Sequence, residues 1–253
     1  MRTGFFKRIV MACAIGLAAA TLANASVVIT GTRVIYPAHA REVTVKLNNN
    51  GAAPALVQAW IDDGDASFNA QQRPMPFTIT PPVFRLDPTK GQTLRVTYTK
   101  EPLPSDRESV YWLNVLEIPP KPQAGGGEES QNYLQMAFRS RIKLFFRPAG
   151  LEGDASQAGA KLTWSLARAS GDGKQVVLLA KNPTPYHVTV TQASVEIKGK
   201  TYEVEAEMIA PRGQHEFVLK GLRELPQEPP RIQFETINDY GANVPGTFTP
   251  GRR

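Results

Sequence analysis

The stretch of sequence that decides the fold is LPSDRESVYWLNVLEIPP, residues 103–120. It opens with a polar turn that carries Asp106, Arg107 and Glu108, and an alternating run over residues 110–116 follows. A Pro-Pro pair then ends the run, because proline cannot donate a hydrogen bond to a sheet. The pattern predicts a half-buried antiparallel strand of a β-sandwich.

The rest of the chain predicts an all-β protein with two immunoglobulin-like sandwich domains. Proline and glycine are frequent, at 21 and 20, and separate short runs rich in Val, Thr, Leu and aromatic residues. Strands are predicted at 27–36, 42–48, 55–61, 77–79, 93–98, 109–118 and 133–146, and then at 162–168, 175–181, 187–197, 201–206, 214–219 and 231–237. The small polar stretch after Pro148 predicts a boundary. The domains are therefore expected at 26–148 and 161–253, with a linker at 149–160.

The first 25 residues have the features of a secretory signal peptide. Three basic residues precede an apolar stretch at 9–20, and Ala23-Asn24-Ala25 supplies a small-x-small cleavage site. Cys13, the sole cysteine, lies inside this segment, so the remaining chain is expected to fold without disulfides. Without those three cations the formal net charge falls from +6 to +3, which does not predict a nucleic-acid binder. No later apolar run is long enough to predict membrane insertion.

Residues 103–120 closely resemble the signature of the periplasmic pilus-assembly chaperones of the chaperone–usher pathway. Further segments resemble that family in the same order along the chain: FRLDP at 84–88, GQTLRV at 91–96, NPTPY at 182–186, MIAP at 208–211 and INDYG at 237–241. The resemblance implies two immunoglobulin-like domains at an angle, with a cleft between them. It also implies a non-enzymatic periplasmic chaperone without cofactors, which binds pilus subunits and delivers them to an outer-membrane usher.

Three alternating apolar residues, Leu134, Met136 and Phe138, precede the basic stretch of the strand predicted at 133–146. From the residues alone, a core strand and an exposed edge are about equally plausible. The resemblance favours the edge, since in this family these positions are lent to a subunit that lacks its last strand. The glycine-rich segment 124–132 suggests a short-loop family member with an insertion, which leaves the number of donated residues open.

The resemblance also assigns two groups of charged residues. Arg33 and Lys143 match the cations that anchor the C-terminal carboxylate of the subunit, and the hydroxyl of Thr32 is a candidate additional donor. An ion network between the domains is implied at three further positions: Glu108, Arg147 and Asp239.

Several other polar residues are interpreted as structural rather than functional. Arg139 and Arg141 are expected to be surface charges, and residues 62–65 (DDGD) a solvated turn rather than a calcium loop. His39, His187 and His215 are expected on the surface or in turns, without metal-ligand spacing. No catalytic motif is present in the sequence.

Two other functions remain as alternatives. A two-domain adhesin or pilus structural component would have the same fold, and a secreted sandwich enzyme is a third hypothesis, since fold alone does not decide function. The exposed apolar edge also leaves open a homo-oligomer in which subunit-free copies cap one another.

Overall fold

The computed structural model describes residues 26–65, 74–120, 135–170 and 175–250. Within these ranges the chain forms seventeen β-strands and two short 3₁₀ helices, at Ala155–Gln157 and Gly159–Lys161. The predicted all-β class is confirmed. In the same ranges, no helix is long and apolar enough to span a membrane. The predicted signal peptide at 1–25 lies outside the described residues.

The first half of the chain forms a sandwich of two sheets. Its strands are β1 (Val27–Ile29), β2 (Arg33–Pro37), β3 (Val43–Asn49), β4 (Ala55–Asp62), β5 (Phe77–Thr80), β6 (Val83–Leu86), β7 (Gly91–Tyr98), β8 (Ser109–Ile118) and β9 (Phe138–Arg147). One sheet has the order β1-β3-β7-β5, and the other has the order β2-β9-β8-β4-β6. Between them lies one hydrophobic core, whose largest fully buried side chains include Tyr36, Leu47, Leu94, Leu113 and Leu144.

The alternating run of residues 110–116 lies in the middle strand of the five-stranded sheet. β8 pairs antiparallel with β4 on one side and with β9 on the other. Leu113 and Val115 are buried in the core, while Trp112 and Leu116 alternate with them and are partly exposed. The predicted antiparallel strand is confirmed. Asn114 differs from Trp112 and Leu116 on the same face of the strand, because its polar side chain is fully buried.

The single strand predicted at 27–36 is wrong, because the chain changes sheets within it. β1 pairs antiparallel with β3, whereas β2 pairs parallel with β9 in the other sheet. Gly31 lies between them with φ of +99°, a conformation that glycine adopts at little cost. This change of sheet brings Arg33 opposite Lys143 as Cα partners.

The second half of the chain forms another sandwich with its own core. Its strands are β10 (Thr163–Arg168), β11 (Val176–Lys181), β12 (Val188–Ile197), β13 (Lys200–Val204), β14 (Glu207–Ile209), β15 (Gln214–Val218), β16 (Ile232–Ile237) and β17 (Asn243–Phe248). The sheets have the orders β10-β11-β15 and β13-β12-β16-β17, and β14 also pairs with β12. Trp164, Val190, Ile209 and Phe234 are among the residues of this core.

Three strands were not predicted from the sequence: β6, β14 and β17. β6 and β14 have four and three residues, which is too short for a clear alternation. β17 contains Pro245 and Gly246 and, among the described residues, pairs with β16 alone, so it is an outer strand whose residues are mostly exposed. Proline and glycine in an outer strand remove the usual strand signal.

Much of the predicted linker at 149–160 packs against the second domain. Ala158 is buried in the second core, and Leu151 and Ala155 pack against it. Asp154 caps the first 3₁₀ helix, since its side chain accepts a hydrogen bond from the backbone N–H of Ser156 at 2.8 Å. Leu151, Ala155 and Ala158 of the predicted linker therefore belong to the second sandwich and do not form a free connection.

Candidate functional site

Two cations lie side by side where the first sandwich faces the second. Because β2 and β9 run parallel with Arg33 opposite Lys143, both side chains project from the same face of the sheet. The guanidinium of Arg33 donates to the carbonyl oxygen of Ile237 at 3.2 Å, and the ammonium of Lys143 donates to the hydroxyl of Thr189 at 3.4 Å. Both partners belong to the second domain, so the cations lie in an interdomain cleft.

The electrostatic environment of this pair favours an anion. Burial lowers the pKa of Arg33, although the charges of Asp239 and Glu108 oppose that shift. Burial also lowers the pKa of Lys143, and the neighbouring positive charge of Arg33 lowers it further, while the charge of Glu207 opposes that shift. Neither cation forms a salt bridge with a described residue, and Arg33 Nε is buried without a hydrogen-bond partner. Two partly desolvated cations that form no direct salt bridge with a described residue are suited to bind a carboxylate.

Thr32 lies at the edge of this cleft. Its side chain is next to the turn between β16 and β17, where a Cβ on Gly241 would come within 2.5 Å of the Thr32 hydroxyl oxygen. Gly241 also has φ of +84°, so both the space and the backbone favour glycine here. The turn of the second domain can therefore approach Thr32 closely.

The structure brings Glu108, Arg147 and Asp239 together in one ion network. Arg147 Nε donates to Glu108 Oε1 at 2.7 Å, and its two terminal nitrogens donate to the carboxylate of Asp239 at 2.7 and 3.0 Å. Burial alone would lower the pKa of Arg147, but the hydrogen bonds and charges of the two acids outweigh it and raise that pKa. One guanidinium thus joins the end of β9 and the residue before β8 to the β16–β17 turn of the second domain.

Glu108 has further partners that the sequence did not predict. Its carboxylate accepts a hydrogen bond from the backbone N–H of His187 at 2.8 Å and lies 3.3 Å from His187 Nδ1. The backbone N–H of Glu108 donates to the carbonyl oxygen of Pro185 at 2.9 Å. The surface interpretation of His187 is wrong, because its side chain is 6% exposed at the domain interface. The NPTPY segment just before it was the only sequence signal for this contact.

β9 leaves part of one edge free. β2 pairs with β9 only from Lys143 to Arg147, whereas β8 pairs with it from Phe138 to Phe146. Among the residues that the structure describes, residues 138–142 therefore have one neighbouring strand, β8. Phe138 is partly exposed, Met136 is 47% exposed just ahead of the strand, and Leu134 lies outside the described residues.

Arg139 and Arg141 are exposed, as expected, but the interpretation of residues 62–65 as a solvated turn is wrong for Asp62. The side chain of Asp62 is fully buried, and both arginines form salt bridges with it, at 3.1 and 2.5 Å. This arrangement is hard to predict from sequence, because the arginines follow Asp62 by 77 and 79 residues. Across the described ranges, by contrast, no three His, Cys, Asp or Glu side chains cluster as metal ligands would.

Two family models together match most of the chain. The model described as the pili and flagellar-assembly chaperone, PapD N-terminal domain, matches residues 26–152. The model described as the pili assembly chaperone PapD, C-terminal domain, matches residues 157–248. These two matches correspond to the two sandwiches and their separate cores.

Relatives and solved structures agree with these models. The chain is 44% identical to the probable fimbrial chaperone YadV of Escherichia coli (strain K12) over 223 residues, which is 88% of this chain and 89% of YadV. It is 46% identical to the chaperone protein FimB/FhaD of Bordetella pertussis over 230 residues, with 89% and 88% covered.

The crystal structure of YadV superposes with a TM-score of 0.74 at 41% identity, covering 88% of this chain and 99% of that one. A second similar structure is that of the Salmonella enterica SafA pilin in complex with the SafB chaperone. It matches with a TM-score of 0.71 at 27% identity, covering 91% of this chain and 99% of that one. The chain therefore belongs to the PapD family of pili assembly chaperones.

Proposed function

We propose that this protein is a periplasmic, non-enzymatic chaperone that binds fimbrial subunits by lending them the free edge of β9. The observation that carries the proposal is that this free edge and the unpaired cleft cation Lys143 belong to the same strand. The relatives are named fimbrial chaperones, which does not favour an adhesin or a pilus structural component. In this proposal the loaded chaperone delivers its subunit to an outer-membrane usher.

The cleft cations supply the anchor in this proposal. A C-terminal carboxylate that leaves water needs charge-assisted hydrogen bonds, which Arg33 provides as a planar fork and Lys143 as a point charge. Each such bond contributes about 1.5–3 kcal/mol. Thr32, which is exposed beside Arg33, is placed to donate a further hydrogen bond.

The free edge supplies the strand. An unpaired strand edge templates pairing with another chain, and addition of a strand to a partner sheet gives affinity through main-chain hydrogen bonds. Side chains that alternate along the edge then enter the groove of the subunit, and we assign that role to Leu134, Met136 and Phe138. Phe138 is five residues from Lys143, about 17 Å along an extended strand, so the anchor and the donated side chains contact one subunit.

The ion network holds the two faces of the cleft together. Arg147 lies on β9, Glu108 precedes β8 and Asp239 lies in the second domain. We assign to these three residues the orientation of the second domain over the anchor. Subunit-free copies would expose the same β9 edge, so self-capping pairs belong to the proposal as well.

The test is to purify the protein from the periplasm and identify what it carries. The wild-type protein and the control variant Lys46→Ala, which removes an exposed lysine from β3 of the other sheet, should carry a stoichiometric fimbrial subunit. Lys143→Ala and Arg33→Ala should carry none while remaining folded, since neither removal opens a cavity in a core. A wild-type protein that carries no subunit, or a Lys143→Ala variant that carries as much as the wild type, would contradict the proposal.

A further inference from the structure

Glu117 differs from the other buried acids of the structure in its lack of a cationic partner. In the described ranges three acidic residues are buried: Asp62, Glu108 and Glu117. Arginine side chains form salt bridges with Asp62 and Glu108. Glu117 is 7% exposed, yet none of the salt bridges within the described ranges involves it. A buried ionised carboxylate is costly unless a cation and hydrogen-bond donors compensate for the lost water.

The groups that contact the Glu117 carboxylate belong to the start of the first domain. Glu117 Oε1 accepts a hydrogen bond from the hydroxyl of Ser26, and Oε2 accepts one from the backbone N–H of Val27 at 3.0 Å. Val27 begins β1 in the four-stranded sheet, whereas Glu117 lies on β8 in the five-stranded sheet. Both donors are neutral, and a carboxylate has about four acceptor positions, so it can accept from a further donor.

The turn at residues 49–51 holds Ser26 in this position. The backbone N–H of Asn50 donates to the carbonyl oxygen of Ser26 at 2.7 Å. A Cβ on Gly51 would come within 2.4 Å of the Ser26 Cβ, so this close approach requires glycine. The turn itself is fixed by the buried side chain of Asn49, which accepts a hydrogen bond from the N–H of Gly51 at 2.9 Å. The backbone nitrogen of Ser26 therefore lies close to Glu117, since only Cα and Cβ separate it from the hydroxyl oxygen that Glu117 binds.

The charge of that nitrogen depends on processing of the chain. In a precursor, the nitrogen of Ser26 is a neutral amide joined to Ala25. Cleavage after Ala25, which the sequence predicts, hydrolyses this bond with one water molecule. The oxygen of the water completes the carboxylate of Ala25, and both of its protons end on the nitrogen of Ser26, which is an ammonium group at neutral pH. Processing thus creates a cation beside a buried carboxylate that lacks one.

We propose that Glu117 is the binding site for the mature amino terminus, and that the ammonium group of Ser26 is its missing cation. Signal-peptide cleavage then completes one end of the first sandwich, because the ion pair ties the start of β1 to β8 in the opposite sheet. Glu117 is also the Cα partner of Phe138, the first residue of β9, so the ion pair lies where the free edge begins. This inference rests on the proposed function only through the periplasmic location that cleavage requires.

Two measurements on the free protein purified from the periplasm test the ion pair. The intact mass should be that of a chain beginning at Ser26. NMR titration of its isotope-labelled α-amine should give a pKa at least about one unit above the 7.7–8.0 of an unpaired amino terminus. Burial without a counter-ion would instead lower that pKa. The covering turn at residues 49–51 contains no titratable side chain, so an increase is assigned to Glu117.

A double-mutant cycle with amino-terminal acetylation measures the coupling between the two groups. The acetylated chain, which begins at Ser26 and is made with a coexpressed N-terminal acetyltransferase, has no ammonium group. Acetylation should raise the equilibrium constant of urea unfolding at least about fivefold in the wild type and less than about twofold in Glu117→Gln.

Two further variants control this cycle. Ser26→Ala removes the hydroxyl but keeps the amine, so it should retain the fivefold effect of acetylation if the ammonium group carries it. Glu196→Gln removes an exposed carboxylate from β12 in the second domain and should retain the effect as well.

An acetylation effect of equal size with and without Glu117 would overturn the proposal. An α-amine that titrates at or below about 8, or a mature chain that begins at another residue, would also overturn it. The titration needs only the wild-type protein, so it decides the matter even where Glu117→Gln fails to fold. None of these readouts involves a subunit, so their failure is separate from a failure of the wild-type protein to carry one.

Discussion

The two halves of β9 differ in pairing and in burial although they form one continuous strand. Residues 143–147 pair with β2 on one side, residues 143–146 pair with β8 on the other, and Leu144, Phe145 and Phe146 are buried. Among the described residues, residues 138–142 pair with β8 alone, and none of their side chains is fully buried. The second half is built into the core of the first sandwich, whereas the first half carries the edge that we propose pairs with a subunit. One part of a strand can thus stabilise the protein while another part is left for binding a partner.

The largest expected difference between the halves is in the cost of removing an aromatic ring. Phe146 is 4% exposed and its ring lies 4.6 Å from that of Tyr98 and 6.1 Å from that of Tyr36, measured between centroids. Phe146→Ala should therefore lower the free energy of unfolding by about 3–5 kcal/mol. Phe138→Ala should lower it by less than about 1 kcal/mol, as for a partly exposed position. Urea unfolding of the free monomer measures both.

The same two variants should have the opposite order in subunit binding. Phe138→Ala removes a donated side chain and should weaken capture of a fimbrial subunit severely in a pull-down. A Phe138→Ala variant that is destabilised as much as Phe146→Ala would show that residue 138 belongs to the hydrophobic core of the free protein. The distinction between the two halves would then be wrong.

A smaller effect is expected at the end of the second half, where β9 meets the other domain. Arg147→Met removes the shared partner of Glu108 and Asp239. Because the side chain of Glu108 is only 2% exposed, the variant leaves a buried carboxylate without its main counter-charge. The expected loss of stability is about 3 kcal/mol. The exposed pair formed by Arg85 and Asp87 provides a control, and Arg85→Met should change stability by less than about 0.5 kcal/mol.

Tryptophan fluorescence can assign the Arg147→Met effect to a domain. Trp60 and Trp112 lie in the first sandwich, and Trp164 lies in the core of the second. Loss of the network should also allow the two domains to unfold in separate steps. A single transition with the wild-type midpoint would mean that the network neither stabilises the first domain nor couples it to the second.

The parts predicted from sequence are those whose signal is local. The alternation of residues 110–116 predicted β8, and the strand predicted at 133–146 included most of β9. Long-range consequences were harder to predict: the change of sheet at Gly31 separates two strands that look continuous in sequence, and the partners of Asp62 are remote from it. Asp62 also begins a DDGD stretch, whose composition is that of an exposed turn. Only the pairing of β4 with β8, and of β8 with β9, brings that acid to Arg139 and Arg141.

The smallest expected effect is that of Lys143→Ala on the stability of the free protein. Burial and the charge of Arg33 lower the pKa of Lys143, which means that the unfolded chain binds this proton more tightly than the folded chain does. The cost of the buried charge is present at every pH below the folded-state pKa, including neutral pH. It is relieved as the pH rises from the folded-state pKa toward the unfolded value of about 10.4. Lys143→Ala should therefore leave stability at pH 7 equal or higher by less than about 1 kcal/mol.

Urea unfolding at pH 7 and pH 10 measures this effect, with Lys46→Ala on β3 as the control. The wild-type protein should gain stability relative to Lys143→Ala between these two pH values, since only the wild type is relieved of the buried charge. If Lys143→Ala instead lost more than about 1 kcal/mol at pH 7, Lys143 would be stabilised by a counter-charge within the free protein. The cleft would then already be neutralised before any subunit arrives, and the assignment of Lys143 as an anchor waiting for a carboxylate would fail.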